Sequence, residues 1–219
     1  MSGKMVHWGM VIDLKKCIGC MTCTVACEVE NFLPRGVSWG KVMDFEDGAY
    51  PNVERTFLQM PCMHCEEAAC VKGCPTEAIL KREDGVVVID YEKCIGCRIC
   101  VIACPYDSPS YMEEIRLPSP LLRVKKEIRS KYQLLKEKTT SKCTFCAHRI
   151  DRAGELGKIP GKDPEVTPLC VNSCVGNARY FGDLDDPESE VSKLAKSARA
   201  FVLYEEANTR PSVYYLRRK

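Results

Sequence analysis

The chain has 219 residues, 32 basic against 30 acidic, a formal net charge of +2, and 16 cysteines. So even a balance argues against a nucleic-acid partner held by phosphate contacts. No apolar run approaches the ~20 residues of a membrane-spanning helix, so no direct membrane span is expected. The opening residues Met1 to Trp8 lack a long apolar run and a small-residue cleavage site, so no signal peptide is expected and the compartment, cytoplasmic or exported with a partner, stays open.

In chain order, Val11-Ile12-Asp13 predicts a short strand ahead of a first cysteine block, Cys17, Cys20, Cys23 and Cys27, with a short helix beginning at Thr24-Val25-Ala26. A second block holds Cys62, Cys65, Cys70 and Cys74. Ala78-Ile79-Leu80 and the run Val86 to Ile89 flank a charged turn ending in Asp84-Gly85, the signature of a β-hairpin. A third block follows, Cys94, Cys97, Cys100 and Cys104, with a helix from Val101-Ile102-Ala103. Asp13-Leu14-Lys15-Lys16-Cys17-Ile18-Gly19-Cys20 closely matches Asp90-Tyr91-Glu92-Lys93-Cys94-Ile95-Gly96-Cys97, which indicates duplication of a strand, cysteine loop, helix and strand. Residues 111–140 are charged. Leu121, Leu122, Val124, Ile128, Leu134 and Leu135 predict a helix around 120–137, either a solvated surface element or one that docks on a partner. The fourth block, Cys143, Cys146, Cys170 and Cys174, is split by a polar loop from Asp151 to Pro168. Residues 200–204 and 212–216 predict a C-terminal hairpin.

Close, regular spacing suits metal ligation better than disulfides. A C-x2-C-x2-C loop can wrap three corners of a four-iron cube with soft thiolates, and in two-cluster proteins the fourth cysteine serves the other cluster. That fourth cysteine is expected to point the opposite way on its helix. The run Cys94 to Pro105 matches the bacterial ferredoxin pattern at every cysteine and at the closing proline. Gly19 and Gly96 stand where the loop must bend and turn N–H groups toward sulfur. Sixteen thiolates supply four [4Fe-4S] clusters with none left over. The loaded chain then carries a charge near about −6, and its lysines and arginines read as compensation. Taken alone, the fourth block also fits a zinc site built from paired cysteine knuckles. His64 and His148 are expected to donate hydrogen bonds to sulfur or to partner groups rather than to ligate. Glu66 and Glu67 read as a solvated turn, and Trp8, Trp39, Tyr91 and Tyr106 as packing residues. No nucleotide loop, nucleophilic triad or radical-type motif is present, so no catalytic residue is assigned.

The chain resembles the four-cluster iron–sulfur subunits of the dimethyl sulfoxide reductase family of molybdenum or tungsten enzymes, in particular those of polysulfide, thiosulfate, tetrathionate and respiratory arsenate reductases. The likeness rests on Gly9 to Leu14, Cys62-Met63-His64-Cys65, Cys74-Pro75-Thr76, Cys94 to Cys97, Ala103 to Asp107, Lys142 to Arg149 and Phe181 to Pro187. Segment 111–140 and the lack of prolines after Cys27 and Cys174 depart from it. The resemblance implies an α+β fold of tandem bacterial-ferredoxin-like units, with 1–50 and 141–190 as one half and 51–110 as the other. Segment 111–140 is then an inserted helix and 191–219 a docking extension. It implies one cluster on Cys17, Cys20, Cys23 and Cys174, a second on Cys27, Cys143, Cys146 and Cys170, a third on Cys62, Cys65, Cys70 and Cys104, and a fourth on Cys74, Cys94, Cys97 and Cys100. It further implies single-electron relay between a molybdopterin catalytic subunit and a quinone-linked membrane anchor or other redox partner, with the first half facing the catalytic subunit. The alternative is a free-standing polyferredoxin that visits several enzymes.

Overall fold

The computed structural model describes residues 6–115 and 135–218. The helix expected around 120–137 lies outside them but for its last three residues; of its apolar positions only Leu135 is described, packed against the two larger groups of core side chains. The elements in order are β1 (Trp8–Asp13), α1 (Thr22–Glu30), β2 (Lys41–Ala49), β3 (Asn52–Met60), α2 (Ala69–Lys72), β4 (Ile79–Lys81), β5 (Val87–Ile89), α3 (Ile99–Ala103), β6 (Ser110–Met112) and β7 (Thr139–Ser141). They continue with α4 (Ala147–Ile150), α5 (Ala153–Leu156), α6 (Leu169–Asn172), β8 (Arg179–Asp183), α7 (Glu190–Ala195), β9 (Ala200–Phe201) and β10 (Val213–Leu216).

The strand expected at Val11 lies inside the largest sheet, ordered β8-β1-β10-β9, where β1 runs antiparallel to β8 and parallel to β10. Its apolar run is covered on both faces, as an interior strand requires. Met10 and Ile12 join Val213 and Tyr215 on one side, and Val11 joins Val191 and Leu216 on the other. The hairpin at Asp84-Gly85 forms as expected, with Ile79 opposite Ile89 and Gly85 in the left-handed region at φ 84°.

The duplication is visible in individual bonds. Asp13 N–H donates to Ala178 O, and Asp90 N–H to Ala78 O, each at 2.7 Å. Cys17 N–H and Cys94 N–H reach back to Asp13 O and Asp90 O at 3.2 and 3.1 Å. Gly19 and Gly96 share φ 68°, and the residues before the two helices, Met21 and Arg98, are both left-handed. The strand before the first block thus pairs with the strand after the fourth, and the strand before the third with the strand after the second.

Three features depart from the sequence reading. A long antiparallel hairpin, β2–β3, runs from the pair Lys41–Met60 to the pair Ala49–Asn52 and is largely exposed. The sequence predicts no strand there; Met43-Asp44-Phe45-Glu46 alternates only briefly, and its apolar residues are exposed. β6 and β7 pair across the base of the charged segment, Ser110 opposite Ser141, so that segment leaves and re-enters through a two-stranded neck. The C-terminal hairpin is only two residue pairs deep, because Glu205–Ala207 form a 3₁₀ turn. Its second strand, β10, sits inside the sheet, with Val213 and Tyr215 fully buried.

The approach to β10 also crosses the second cysteine block. Glu66 and Glu67 donate their N–H groups to Arg210 O and Thr209 O, and Ser212 N–H donates to Met63 O at 2.9 Å. The Tyr215 hydroxyl donates to Gln59 O at 2.7 Å and so ties the sheet to the foot of β3. Tyr215→Phe removes that buried bond and is expected to cost about 1–2 kcal/mol. A thermal melt of the anaerobic protein should then fall by about 2–8 °C.

Candidate iron–sulfur centres

None of the sixteen cysteines is in a disulfide, and only Cys20 and Cys97 are exposed. They gather by fours, and each group mixes two blocks. Cys17, Cys20 and Cys23 share a hollow with Cys174, beside Gly19, Val42 and Gln59. Cys62, Cys65 and Cys70 share one with Cys104, and Cys94, Cys97 and Cys100 share one with Cys74. These hollows hold 300, 370 and 320 Å³ respectively, part of it open to solvent. The remaining four cluster in the core. Asn31 Nδ2 lies 3.5 Å from Cys27 Sγ and 3.9 Å from Cys146 Sγ, and the Cys27 thiol also feels Cys143 and Cys170.

Local geometry explains the sharing. Cys23 and Cys27 stand four residues apart on α1 and are both buried. Side chains at that spacing lie one above the other on a single helix face. The expectation that the fourth cysteine points the opposite way is therefore corrected: it is displaced one turn along the axis, into the next hollow. In the other blocks the short helix has ended by the fourth cysteine. Cys104 is the extended residue after α3, and Cys74 and Cys174 follow α2 and α6 by two residues.

The groups around the thiols suit soft anionic ligands. Gln59 Nε2 donates to Cys17 Sγ at 2.9 Å, Phe145 N–H to Cys143 Sγ at 3.4 Å and Ala178 N–H to Cys174 Sγ at 3.2 Å. Burial pushes the Cys65, Cys70 and Cys143 thiols up to about 12, with neighbouring thiols adding to the rise. Burial also raises Cys27 and Cys146 strongly. At Cys74 burial is outweighed by N–H groups of Ile79, Thr76 and Ala78, which hold the thiol below its ordinary value. Metal-free thiols of the first kind are protonated, so loading with iron must release protons. Among the described residues no three His, Cys, Asp or Glu side chains gather as a single ion would need. Thiolates on one zinc would stand about 4 Å apart, closer than the corners of a four-iron cube demand.

The histidines do other work. His64 is fully buried and stacked on Phe145 at 3.7 Å, and its Nδ1 accepts the Val87 N–H at 3.0 Å. Its Nε2 is buried and has no hydrogen-bond partner among the described residues. His148 sits 2.9 Å from Glu30, which Arg149 also holds. These bonds pull the Glu30 carboxyl down to about 2, so it is ionised and pins α4 to α1. Glu66 and Glu67 pair at the surface with Lys81 and Lys72, as a solvated turn would. Trp39, Tyr91 and Tyr106 are core residues, and Trp8 stacks on Phe181.

Two functional residues escape the sequence reading. The general expectation is that basic residues offset the charge of the centres, yet among the described residues only Lys142 and Arg179 are buried cations. Lys142 lines the hollow of Cys62 and donates hydrogen bonds to Val87 O and Cys143 O. Arg179 lies against Cys23, Cys170 and Cys143, whose thiols raise its affinity for the proton in spite of its burial. The only sequence signal is position, Lys142 directly before Cys143 and Arg179 opening the strand after the fourth block.

Comparison with known proteins agrees with this chemistry. Two models described as a 4Fe-4S dicluster domain match residues 53–117 and 86–174, and one described as a 4Fe-4S binding domain matches 8–29. These matches, with the mixed α and β structure, place the chain among the ferredoxin-like 4Fe-4S proteins. A selenate reductase subunit of Mesobacillus selenatarsenatis is 43% identical over 96% of this chain and 72% of its own length. The arsenate respiratory reductase iron–sulfur subunit of Shewanella sp. is 37% identical over 95% of both chains. The iron–sulfur cluster-binding subunit of menaquinone reductase from Nitratidesulfovibrio vulgaris is 34% identical over 98% of this chain and 95% of its own. The chain belongs to the iron–sulfur subunits of the dimethyl sulfoxide reductase family of molybdenum oxidoreductases, and its role is electron transfer.

Gly96 tests the loops. An added Cβ would stand 2.1 Å from Lys138 O at a backbone φ of 68°. Gly96→Ala is expected to cost at least about 1–3 kcal/mol through backbone strain alone. Iron analysis should show reduced occupancy, while circular dichroism keeps the strand signal.

Proposed function

We propose that the chain relays single electrons through four [4Fe-4S] clusters, without catalysis of its own, between a molybdopterin-containing catalytic subunit and a quinone-reactive membrane anchor or another redox partner. The four ligand sets are Cys17, Cys20, Cys23 and Cys174; Cys27, Cys143, Cys146 and Cys170; Cys62, Cys65, Cys70 and Cys104; and Cys74, Cys94, Cys97 and Cys100. The observation that carries this reading is the gathering of thiols by fours, each group taking three cysteines from one block and one from another. The clusters supply reversible one-electron chemistry at potentials set by hydrogen bonds, charge and burial. The protein's own residues supply the soft ligands, the N–H groups at sulfur and the exclusion of water.

We infer two ferredoxin-like halves, 1–50 with 141–190 and 51–110, each holding two clusters. Support comes from the pairing of β1 with β8 and of β4 with β5, together with the repeated bonds at Asp13 and Asp90. The segment 111–140 is an insertion on this plan, and 191–219 an extension that crosses from one half to the other.

The two exposed cysteines mark the ends of the relay. Exposed Ile18, Met21 and Val25 flank Cys20 in the chain and exposed Val175 follows Cys174, which shares its hollow; exposed Ile95, Ile99 and Ile102 flank Cys97 in the chain. Apolar patches beside solvent-accessible ligands suit protein docking over a short electron path, and they favour a fixed subunit over a ferredoxin that diffuses freely. On the family pattern the Cys20 end meets the catalytic subunit. Among the described residues no helix is long and apolar enough to cross a membrane.

Three outcomes are expected. Anaerobic protein should contain about sixteen irons per chain, four for each cube, and redox titration should resolve four centres; two would overturn the relay of four. Cys97→Ser should perturb one centre, leave the other three and interrupt turnover of the complex. Ile18→Asp should weaken binding of the catalytic subunit roughly tenfold or more, the scale of an interface anchor, while Ile102→Asp leaves that binding intact.

A further inference from the structure

Lys142 and Arg179 are unusual in having no anion of their own. Arg149 and Arg199 hold Glu30 and Asp13, whereas no carboxylate lies against either buried cation among the described residues. The Lys142 ammonium donates only to two neutral carbonyls, Val87 O and Cys143 O. Arg179 donates to Met10 Sδ at 3.3 Å, and its Nε has no partner among the described residues. A buried charge without a counter-ion is costly, so the compensating negative charge must come from the adjoining thiolate groups.

Their positions differ in an informative way. Arg179 opens β8 opposite Ile12, within the field of the thiols of Cys23, Cys143 and Cys170. Lys142 follows β7, between Cys143 and the hollow of Cys62, Cys65, Cys70 and Cys104. The quartet Cys27, Cys143, Cys146 and Cys170 therefore has a buried cation on each flank. Its two neighbours have one each, and the hollow of Cys74, Cys94, Cys97 and Cys100 is lined by no buried cation.

We propose that Arg179 and Lys142 make the Cys27, Cys143, Cys146 and Cys170 quartet the centre of this relay that holds an electron most strongly. The inference rests on the ligand grouping given above. One electron entering that centre makes it one unit more negative, with no bond made or broken. A fixed positive charge nearby stabilises the reduced form more than the oxidised one, and burial keeps solvent and salt from screening it. Both residues are positioning groups that act through the field at the centre; neither is a ligand. The electron thus has a resting place in the interior, between the two docking ends.

The test is an anaerobic redox titration, followed by electron paramagnetic resonance, of the assembled complex carrying Arg179→Met or Lys142→Met. Iron and acid-labile sulfide are measured alongside. Cys146→Ser identifies the signal of the quartet. In the parent complex that signal should have the highest midpoint potential. Each Met variant should lower it by tenfold or more in its reduction constant, about 59 mV for a one-electron couple. Arg179→Met should also lower the centre that includes Cys23, and Lys142→Met the one that includes Cys62. Arg179→Lys should restore most of the loss, which a purely structural role would not predict. The proposal is overturned if the two Met variants shift no centre in common, if Arg179→Lys behaves like Arg179→Met, or if the Met variants fail to retain iron. If Cys146→Ser leaves every signal unchanged, the grouping itself fails, and the inference falls with it for that separate reason.

Discussion

The structure depends throughout on one arrangement, in which cysteines from separate blocks are brought together by fours. A loop of C-x2-C-x2-C can surround a corner of space but cannot close it, because its own next cysteine has moved on by a helical turn or into extended chain. The fourth thiol must come from elsewhere, and that requirement interlocks the blocks. Cys174 reaches the loop of Cys17 because β8 is zipped to β1, and Cys74 reaches the loop of Cys94 because β4 is zipped to β5. The strands are short, yet each pair holds cysteines of two blocks in register around one hollow. Here the small sheets act as clamps for ligands as much as cover for an apolar core.

Charge is the second constraint. Thiolates stripped of water need donors and cations, and the fold supplies both sparingly. Amide donors come from Gln59, Phe145 and Ala178, at positions fixed by backbone that is already committed to a turn or strand. Among the described residues the basic side chains other than Lys142 and Arg179 are not fully buried, and several sit in ordinary pairs such as Lys72–Glu67 and Lys158–Glu165. Two are taken inside. In the proposed relay, their placement beside one quartet grades the interior electrostatically.

Much of this was legible in the chain and some was not, for physical reasons. Cysteine spacing, the paired glycines and the Asp-Gly turn each specify local backbone, so loops, short helices and the β4–β5 hairpin could be read directly. Which cysteine completes which group could not be read, since i,i+4 spacing is equally compatible with either neighbouring hollow; that grouping came from family likeness. The β2–β3 arm was missed because the alternation of Met43 and Phe45 with Asp44 and Glu46 is short and gives way to the polar run Glu46-Asp47-Gly48. Lys142 and Arg179 were missed because composition assigns basic residues to the surface by default, and only tertiary structure shows the exceptions.

The interior seat of β10 bears on how the polypeptide matures. The strand that fills the gap between β1 and β9 is drawn from residues 213–216, and the thiol that completes the group at Cys17 comes from position 174. While it emerges from the ribosome, the first loop is an unfinished cup beside an unpaired strand edge, able neither to retain a cofactor nor to shield its backbone. Synthesis must run almost to residue 216 before metal insertion and sheet completion can occur together. On the proposed ligand sets, iron loading therefore belongs to chains whose synthesis has run nearly to the end.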